Sequence, residues 1–157
     1  MSGYAGSTRV LIVEDDPDFL ESLAEMLRRQ GYSVRSAGDG ASGLGQVREA
    51  DVLVTDVRLP GLGGLELLAR GRERNPALQV IVMTGYGSIR DAVEAMRRGA
   101  CTYLVKPFES EELLLHLRQL EEMIRLRKAA SRAGRGDLVG TSPAMQAVYR
   151  AVDVAAA

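Results

Sequence analysis

Several features that are common in other protein classes are missing from this chain of 157 residues. The single cysteine, Cys101, cannot form a disulfide within the chain, which is consistent with a reducing compartment. No run of about 18 apolar residues exists, which excludes a membrane-spanning helix. The net charge of −1 provides no global field that would favour nucleic acid or a membrane surface. The first residues, MSGYAGS, lack the layout of a signal peptide, so we expect a cytoplasmic protein.

Four short apolar runs predict strands. They are rich in β-branched residues and continuous rather than alternating, which is typical of strands buried on both faces of a parallel sheet. The runs are RVLIVE (9–14), DVLVTD (51–56), QVIVMT (79–84) and TYLVK (102–106), and a weaker one is YSVRSA (32–37). Because helical patterns separate them, we predict a doubly wound α/β fold with a five-stranded parallel sheet.

The helical patterns between these strands differ in quality. The first has an apolar face and ends at Gly31; its face consists of Phe19, Leu20, Leu23, Met26 and Leu27. A later one ends at Gly99, and its face consists of Ile89, Ala92, Val93 and Met96. The poorest pattern, ASGLGQVREA (41–50), contains Gly43 and Gly45, each of which costs about 1 kcal/mol relative to alanine in a helix.

Charged and hydroxyl side chains stand at the carboxyl ends of four strands, where open α/β sheets bind their ligands. They are Glu14, Asp15 and Asp16 after the first strand, Asp56 after the third, Thr84 after the fourth and Lys106 after the fifth. Crowded carboxylates repel one another, and oxygen ligands without histidine or cysteine favour Mg²⁺ over Zn²⁺ as the compensating cation. A carboxylate there could attack phosphorus, with Lys106 and Thr84 contacting the transferred group.

Each of these residues alone has an ordinary structural explanation. A lone aspartate at a strand end usually caps a helix or forms a turn. Asp16 followed by Pro17 is typical of a helix N-cap and a first-turn proline, and we expect that role for Asp16. The joint arrangement at four strand ends is what favours phosphoryl transfer over these separate explanations.

The segments VLIVEDDP, LVTDVRLPGLGG, VMTGYGS and YLVKPF resemble the four signature segments of receiver domains of two-component response regulators. The likeness covers residues 9–117. It implies a flavodoxin-like (CheY-like) sheet with strand order 2-1-3-4-5. It also implies that Asp56 is the phosphoacceptor, carrying the group as 4-aspartylphosphate, and that a histidine kinase donates it. The chain would then be a Mg²⁺-dependent switch rather than a true enzyme.

The same resemblance implies a set of metal ligands. Asp15 and Asp56 would contact Mg²⁺ directly, and the main-chain carbonyl of Arg58 would be the third protein ligand. Glu14 would act through a metal-bound water. These four residues form the metal site that we expect.

The resemblance also assigns switch and contact residues. Thr84 would turn toward the phosphoryl group, and Lys106 would pair with it. Tyr103 matches the aromatic residue that moves inward as Thr84 moves. The Lys106–Pro107 bond is expected to be cis. Gly63 departs from the family, which often has an aspartate there, so we expect the third helix to lack a side-chain cap.

A long helical pattern follows the receiver segment. Its apolar residues Leu113, Leu117, Leu120 and Ile124 have the 4-3-4 spacing of a short coiled-coil seam. An alternative is that Leu113 and Leu117 simply face the receiver core. Side chains further along would be exposed to water unless paired; they are Leu120, Met123, Ile124 and Leu126. We therefore predict a parallel homodimer through residues 110–126, with residues 118–136 as a helical and basic linker.

The segment LVGTSPAMQAVYRAV, within residues 137–157, resembles the first residues of the AAA+ ATPase domain of NtrC-type activators of sigma-54 RNA polymerase. No G-x-x-x-x-G-K-[ST] loop is present, so this chain cannot hydrolyse ATP by that route. We expect the regulatory part of a longer activator, which would reach sigma-54 RNA polymerase and DNA only through domains absent here, with no membrane partner. Residues 1–8 are expected to be a disordered lead-in.

Three other functions are compatible with parts of this pattern. A haloacid-dehalogenase-like hydrolase needs a second aspartate two places after its nucleophile, and Arg58 stands there instead. A flavodoxin-like FMN binder needs a phosphate loop after the first strand, where EDDPDF would repel phosphate. A stand-alone receiver module without transcription output remains an alternative, and only the ATPase-like segment argues against it.

Overall fold

The computed structural model describes residues 7–85 and 89–136. Five parallel strands form one sheet in the order β2-β1-β3-β4-β5, which confirms the predicted fold and strand order. The strands are β1 (Arg9–Val13), β2 (Ser33–Ala37), β3 (Val52–Asp56), β4 (Gln79–Thr84) and β5 (Thr102–Val105). The helices are α1 (Pro17–Arg29), α2 (Gly40–Leu44), α3 (Gly64–Arg74), α4 (Ile89–Arg97) and α5 (Ser110–Gly136), with a 3-10 turn at Val47–Glu49.

The chain divides into two units, Met1–Leu113 and Leu114–Ala157. The whole sheet and helices α1 to α4 belong to the first unit, and α5 contributes to both. The ATPase-like segment 137–157 and most of the lead-in lie outside the described residues, so both stay predictions. Among the residues that are described, no helix is long and apolar enough to cross a membrane.

The central strands carry the core as their continuous apolar runs predict. Every residue of β3 and β4 is buried, as are four of the five in β1. The prediction of burial on both faces is wrong for β5, where Tyr103 and Val105 are each 44% exposed and Leu104 is fully buried. Tyr103 and Val105 share one face of the edge strand β5 and Leu104 lies on the other, so one face is exposed and the other buried.

Helix α1 packs with the face that its sequence predicts, since Leu23 and Leu27 are buried, and Gly31 ends the helix with φ +96°. The predicted face of α4 is confirmed for Ala92 and wrong for its three larger residues. The buried residues of α4 are Ala92 and Ala95, whereas the exposed ones are Ile89 (76%), Val93 (53%) and Met96 (42%). The small alanines point into the fold, which turns the larger apolar side chains outward.

Burial of the apolar residues of α5 extends further toward the C-terminal end of the helix than we expected. Leu113 and Leu117 are fully buried, and Leu120 is 8% exposed in the single chain. The expectation that Leu120 would be exposed without a second chain is therefore wrong. Met123, Ile124 and Leu126 are half-buried. The homodimer through residues 110–126 stays a prediction, with less apolar surface to support it.

The two glycines that weaken the second helical pattern have different reasons to be there. A Cβ at Gly43 would lie 2.6 Å from Cγ2 of Val13 in β1, so only a glycine lets α2 approach the sheet this closely. A Cβ at Gly45 would meet only the Ser42 carbonyl oxygen, at 3.5 Å. The helix is accordingly short, with five residues.

Replacing these glycines separately tests this difference. We expect Gly43→Ala to lower the free energy of unfolding by about 1–3 kcal/mol, because the added methyl group overpacks against Val13. Gly45→Ala, the matched control, should leave it unchanged or raise it by about 0.5–1 kcal/mol, because Gly45 has φ −67°, which alanine adopts readily. Urea unfolding followed by circular dichroism measures both. Equal effects of the two substitutions would contradict the packing explanation.

Candidate functional site

The carboxyl ends of β1 and β3 bring three carboxylates together. The two strands are neighbours in register, with Val13 beside Thr55, so the residues that follow them meet at the same edge of the sheet. Ligand oxygens of Glu14, Asp15 and Asp56 all lie within 4.8 Å of one another. Glu14 is 1% and Asp56 9% exposed, while Asp15 is open to solvent. The predicted acidic cluster therefore forms.

Lys106, which follows β5, supplies the positive charge between two of these carboxylates. Its Nζ donates to Oε1 of Glu14 at 2.5 Å and to Oδ2 of Asp56 at 2.7 Å. Burial alone would lower the pKa of Lys106, but the hydrogen bonds to Asp56 and Glu14 outweigh burial and raise it. Lys106 is therefore charged at neutral pH.

Glu14 is the deepest acid of the cluster. Burial raises its pKa, and the hydrogen bonds from Lys106 and from the backbone N–H of Asp16, which donates to Oε2 at 3.0 Å, oppose that rise only in part. The nearby charge of Asp56 also raises the pKa of Glu14, by a smaller amount than burial does. The charged form of Glu14 thus depends on its donors.

The second oxygen of Asp56 is held by the loop after β3. The backbone N–H of Arg58 donates to Oδ1 at 3.0 Å. The guanidinium of Arg58 is 77% exposed and pairs with Asp91 of α4 at 3.0 Å. The expected role of the Arg58 carbonyl as a metal ligand stays a prediction.

Among the described residues, the side chains of Thr84 and Tyr103 form no hydrogen bond with the charged cluster, although the backbone N–H of Lys106 donates to the Thr84 carbonyl oxygen at 2.8 Å. Thr84 is 1% exposed, and its hydroxyl donates to the carbonyl oxygen of Leu104 in the adjacent strand at 3.5 Å. Tyr103 lies on the exposed side of β5. Their coupled movement stays a prediction. The Lys106–Pro107 bond is cis, as predicted.

The N-cap residues of the two helices beside the site are as the sequence predicts. Asp16 is the N-cap of α1, and its carboxylate accepts hydrogen bonds from the N–H groups of Asp18 and Phe19, with Pro17 next in sequence. Its structural role is confirmed. Gly63 is the N-cap of α3 and offers no side-chain cap. The next residue, Gly64, was missed: a Cβ there would lie 2.0 Å from the Asp56 carbonyl oxygen, so α3 can begin this close only with glycine.

Two aromatic residues at the site were also missed by the sequence reasoning. Phe19 was assigned only to the apolar face of α1, but its ring lies under Lys106, with Nζ 4.8 Å from the ring centroid. Phe108 meets the Phe19 ring edge-on, with centroids 6.0 Å apart and planes at 82°. Sequence position was the available signal, since Phe108 comes two residues after Lys106 and Phe19 lies in the first turn of α1, just after the carboxylates.

The donor set fits a divalent cation of the hard, oxygen-preferring kind. Three carboxylates converge within 4.8 Å, and no histidine or cysteine belongs to that group. Mg²⁺ is bound in proteins by one or two carboxylates together with waters and phosphate oxygens. Glu14, Asp15 and Asp56 are the residues that could hold it.

Comparison with known proteins places this site in a family context. The family model described as response regulator receiver domain matches residues 10–118. These residues include all five strands except Arg9, the first residue of β1, and every residue of the site described above.

Individual relatives extend the match along the chain. The transcriptional regulatory protein ZraR of Klebsiella oxytoca is 35% identical over 152 residues, which are 94% of this chain and 34% of that protein. The C4-dicarboxylate transport transcriptional regulatory protein DctD of Pseudomonas aeruginosa is 36% identical over 98% of this chain and 36% of its own length. NtrX from Brucella abortus, solved in complex with ATP, superposes with a TM-score of 0.75 at 33% identity, over 92% of this chain and 34% of that one. The chain thus spans about a third of these relatives.

A double-mutant cycle tests the electrostatic dependence of Glu14 on Lys106. In metal-free buffer we expect Lys106→Met to lower the free energy of unfolding by about 1–3 kcal/mol, less than for a fully buried pair because the Lys106 side chain is 26% exposed. Adding Glu14→Gln removes one of the two carboxylate charges that lose their partner, so the double variant should recover at least about 0.5–1 kcal/mol relative to the sum of the single changes. Denaturant unfolding measures all four proteins. Strictly additive effects would rule out the coupling.

Proposed function

The chain belongs to the response regulator receiver domain family, and from that membership we propose that it is a phosphoacceptor switch in which Asp56 takes a phosphoryl group from a histidine kinase with Mg²⁺ as cofactor. The observation that carries this proposal is the pairing of the Asp56 carboxylate with Lys106 at 2.7 Å, inside an acidic cluster suited to a divalent cation. In this proposal the chain is not an enzyme with an external substrate. Its reactions are the phosphorylation of its own Asp56 and the slow hydrolysis of that phosphoryl group.

The transfer requires one oxygen of Asp56 to form a bond to phosphorus while the bond from phosphorus to the donor's imidazole nitrogen breaks. The Arg58 N–H holds Oδ1, and Lys106 holds Oδ2, so both oxygens are fixed in direction before the reaction. As charge builds on the phosphoryl oxygens, the Lys106 ammonium is close enough to stabilise it. Bound Mg²⁺ would offset the carboxylate charges and contact a phosphoryl oxygen.

We propose that Asp15 and Asp56 hold the cation directly, with Glu14 through water and the Arg58 carbonyl as a further ligand. This assignment agrees with their exposure, because Asp15 is open to solvent and Glu14 lies deepest and already accepts two hydrogen bonds. Glu14 would therefore keep its donors while the more accessible carboxylate takes the metal.

Phosphorylation would be read out through Thr84 and Tyr103. Thr84 is buried, with its hydroxyl donating to the carbonyl oxygen of Leu104, and Tyr103 is 44% exposed. We propose that Thr84 turns toward the phosphoryl group and that Tyr103 moves inward, with a change in packing between two chains that pair through residues 110–126.

The output would belong to a longer protein. ZraR and DctD are named transcriptional regulatory proteins, and NtrX was solved with ATP. Together with the ATPase-like segment in residues 137–157, these names support a sigma-54-dependent transcription activator of the NtrC type. Contacts with sigma-54 RNA polymerase and DNA would be made by other domains, and the family membership favours the cytoplasm as its compartment.

Intact mass spectrometry tests the phosphoacceptor directly. After incubation with Mg²⁺ and a small acyl-phosphate donor, we expect one phosphoryl group per chain and none in Asp56→Ala, because the substitution removes the acceptor carboxylate. Glu14, the other carboxylate that contacts Lys106, is 1% exposed against 9% for Asp56 and is therefore less accessible to the donor. Asp18→Asn is the matched control, since Asp18 is an exposed neighbour of the cluster that lies outside it, and this variant should be modified like the wild type. An adduct that survives in Asp56→Ala would refute the assignment.

Cation binding is expected to depend on Asp15. We predict that Asp15→Asn weakens Mg²⁺ binding at least about tenfold, because it removes one of the charged ligands that a hard cation needs. Isothermal titration with Mg²⁺ measures the affinity, and Asp18→Asn should bind as the wild type does. If Asp15→Asn binds Mg²⁺ with unchanged affinity, the cation does not bind at this cluster and the assignment is wrong.

A further inference from the structure

The ring of Phe19 contacts the ammonium of Lys106, and this contact has no role in the phosphoryl transfer proposed above. Nζ lies 4.8 Å from the ring centroid, within the range in which the negative face of an aromatic ring attracts a cation. We propose that Phe19 is a positioning residue for phosphoryl transfer, acting through Lys106 by holding its ammonium beside Asp56. This inference rests on the proposed function of Asp56.

The ring supplies an attraction for the ammonium that does not depend on the direction of any N–H group, which the two carboxylates cannot supply. An ammonium has three donors on a flexible four-carbon stem, and two of them are engaged by Glu14 and Asp56. During transfer Lys106 must exchange the Asp56 oxygen for a phosphoryl oxygen, so that contact is not constant. The ring face attracts the charge without directing any N–H, which keeps the ammonium in place while its hydrogen bonds change partners.

Two separate parts of the chain hold Phe19 in position. Its N–H donates to the Asp16 carboxylate at 3.3 Å, and the N–H of Asp16 donates to Glu14, so the start of α1 is tied to the acidic cluster. The edge-on contact with Phe108 fixes the ring from the segment after β5. Since Phe108 follows Lys106 by two residues, the ring and the ammonium are anchored to the same stretch of chain.

An aliphatic side chain of similar size would keep the apolar contact but lose the charged face. We therefore expect Phe19→Leu to lower the rate constant of phosphorylation by a small acyl-phosphate donor about fivefold, in line with a partly exposed cation–π contact. Phe19→Tyr keeps the ring face and should stay within about twofold of the wild type. Leu20→Met, on the adjacent half-buried residue of α1, is the matched control and should react like the wild type.

The rates are measured by intact mass in the presence of Mg²⁺, in the wild-type and in the Lys106→Met background. If Phe19 acts through Lys106, Phe19→Leu should add no further slowing once Lys106 is gone. A purely structural role would slow both backgrounds equally.

A second readout needs neither donor nor metal. Methylene protons of Lys106 that lie over an aromatic face are shifted upfield by the ring current, so their NMR signals should be upfield in the wild type and in Phe19→Tyr. In Phe19→Leu they should return to the values of a solvated lysine.

Phosphorylation of Phe19→Leu at the wild-type rate, a Phe19→Tyr variant as slow as Phe19→Leu, or equal slowing in both backgrounds would each overturn the inference. If the wild type takes no phosphoryl group on Asp56, the proposed function of that residue fails instead. The NMR comparison still decides the contact in that case, because an unshifted Lys106 in the wild type would overturn the positioning role.

Discussion

A single ammonium compensates two buried carboxylates, and the rest of the site depends on that compensation. Glu14 and Asp56 are almost completely enclosed, and their charges would repel each other without Lys106 between them. The cluster is thus built from groups that are costly to bury, held by one shared partner. That partner can be redistributed when a cation or a phosphoryl group arrives, which is what suits such a cluster to switching.

The topology of the sheet makes this contact possible. Lys106 and Glu14 are 92 residues apart in sequence, and parallel strands bring them together because all carboxyl ends share one edge. Close packing near that edge depends on glycine, since Gly64 begins α3 against the Asp56 carbonyl and Gly43 lets α2 approach β1. The precision of the site therefore comes from the backbone as much as from its charged residues.

The central strands and the acidic residues at their ends could be predicted from the sequence, because burial on both faces leaves a continuous apolar run. Three other features could not. The face of α4 is set by which side chains are small enough to pack, so Val93 points outward although the periodicity placed it inside. Leu120 is covered by its own chain, which a repeat pattern does not reveal. Phe19 meets Lys106 across 87 positions of sequence, a tertiary contact that the local pattern around either residue does not reveal.

The most direct test of this account is a crystal structure of the chain with Mg²⁺ and beryllofluoride, a stable mimic of a phosphoryl group. The account predicts the mimic on a carboxylate oxygen of Asp56, the cation between Asp15 and Asp56, and the Lys106 ammonium moved from Asp56 to a fluorine atom. A mimic on another carboxylate, or a Lys106 that stays on Asp56 without touching the mimic, would contradict it.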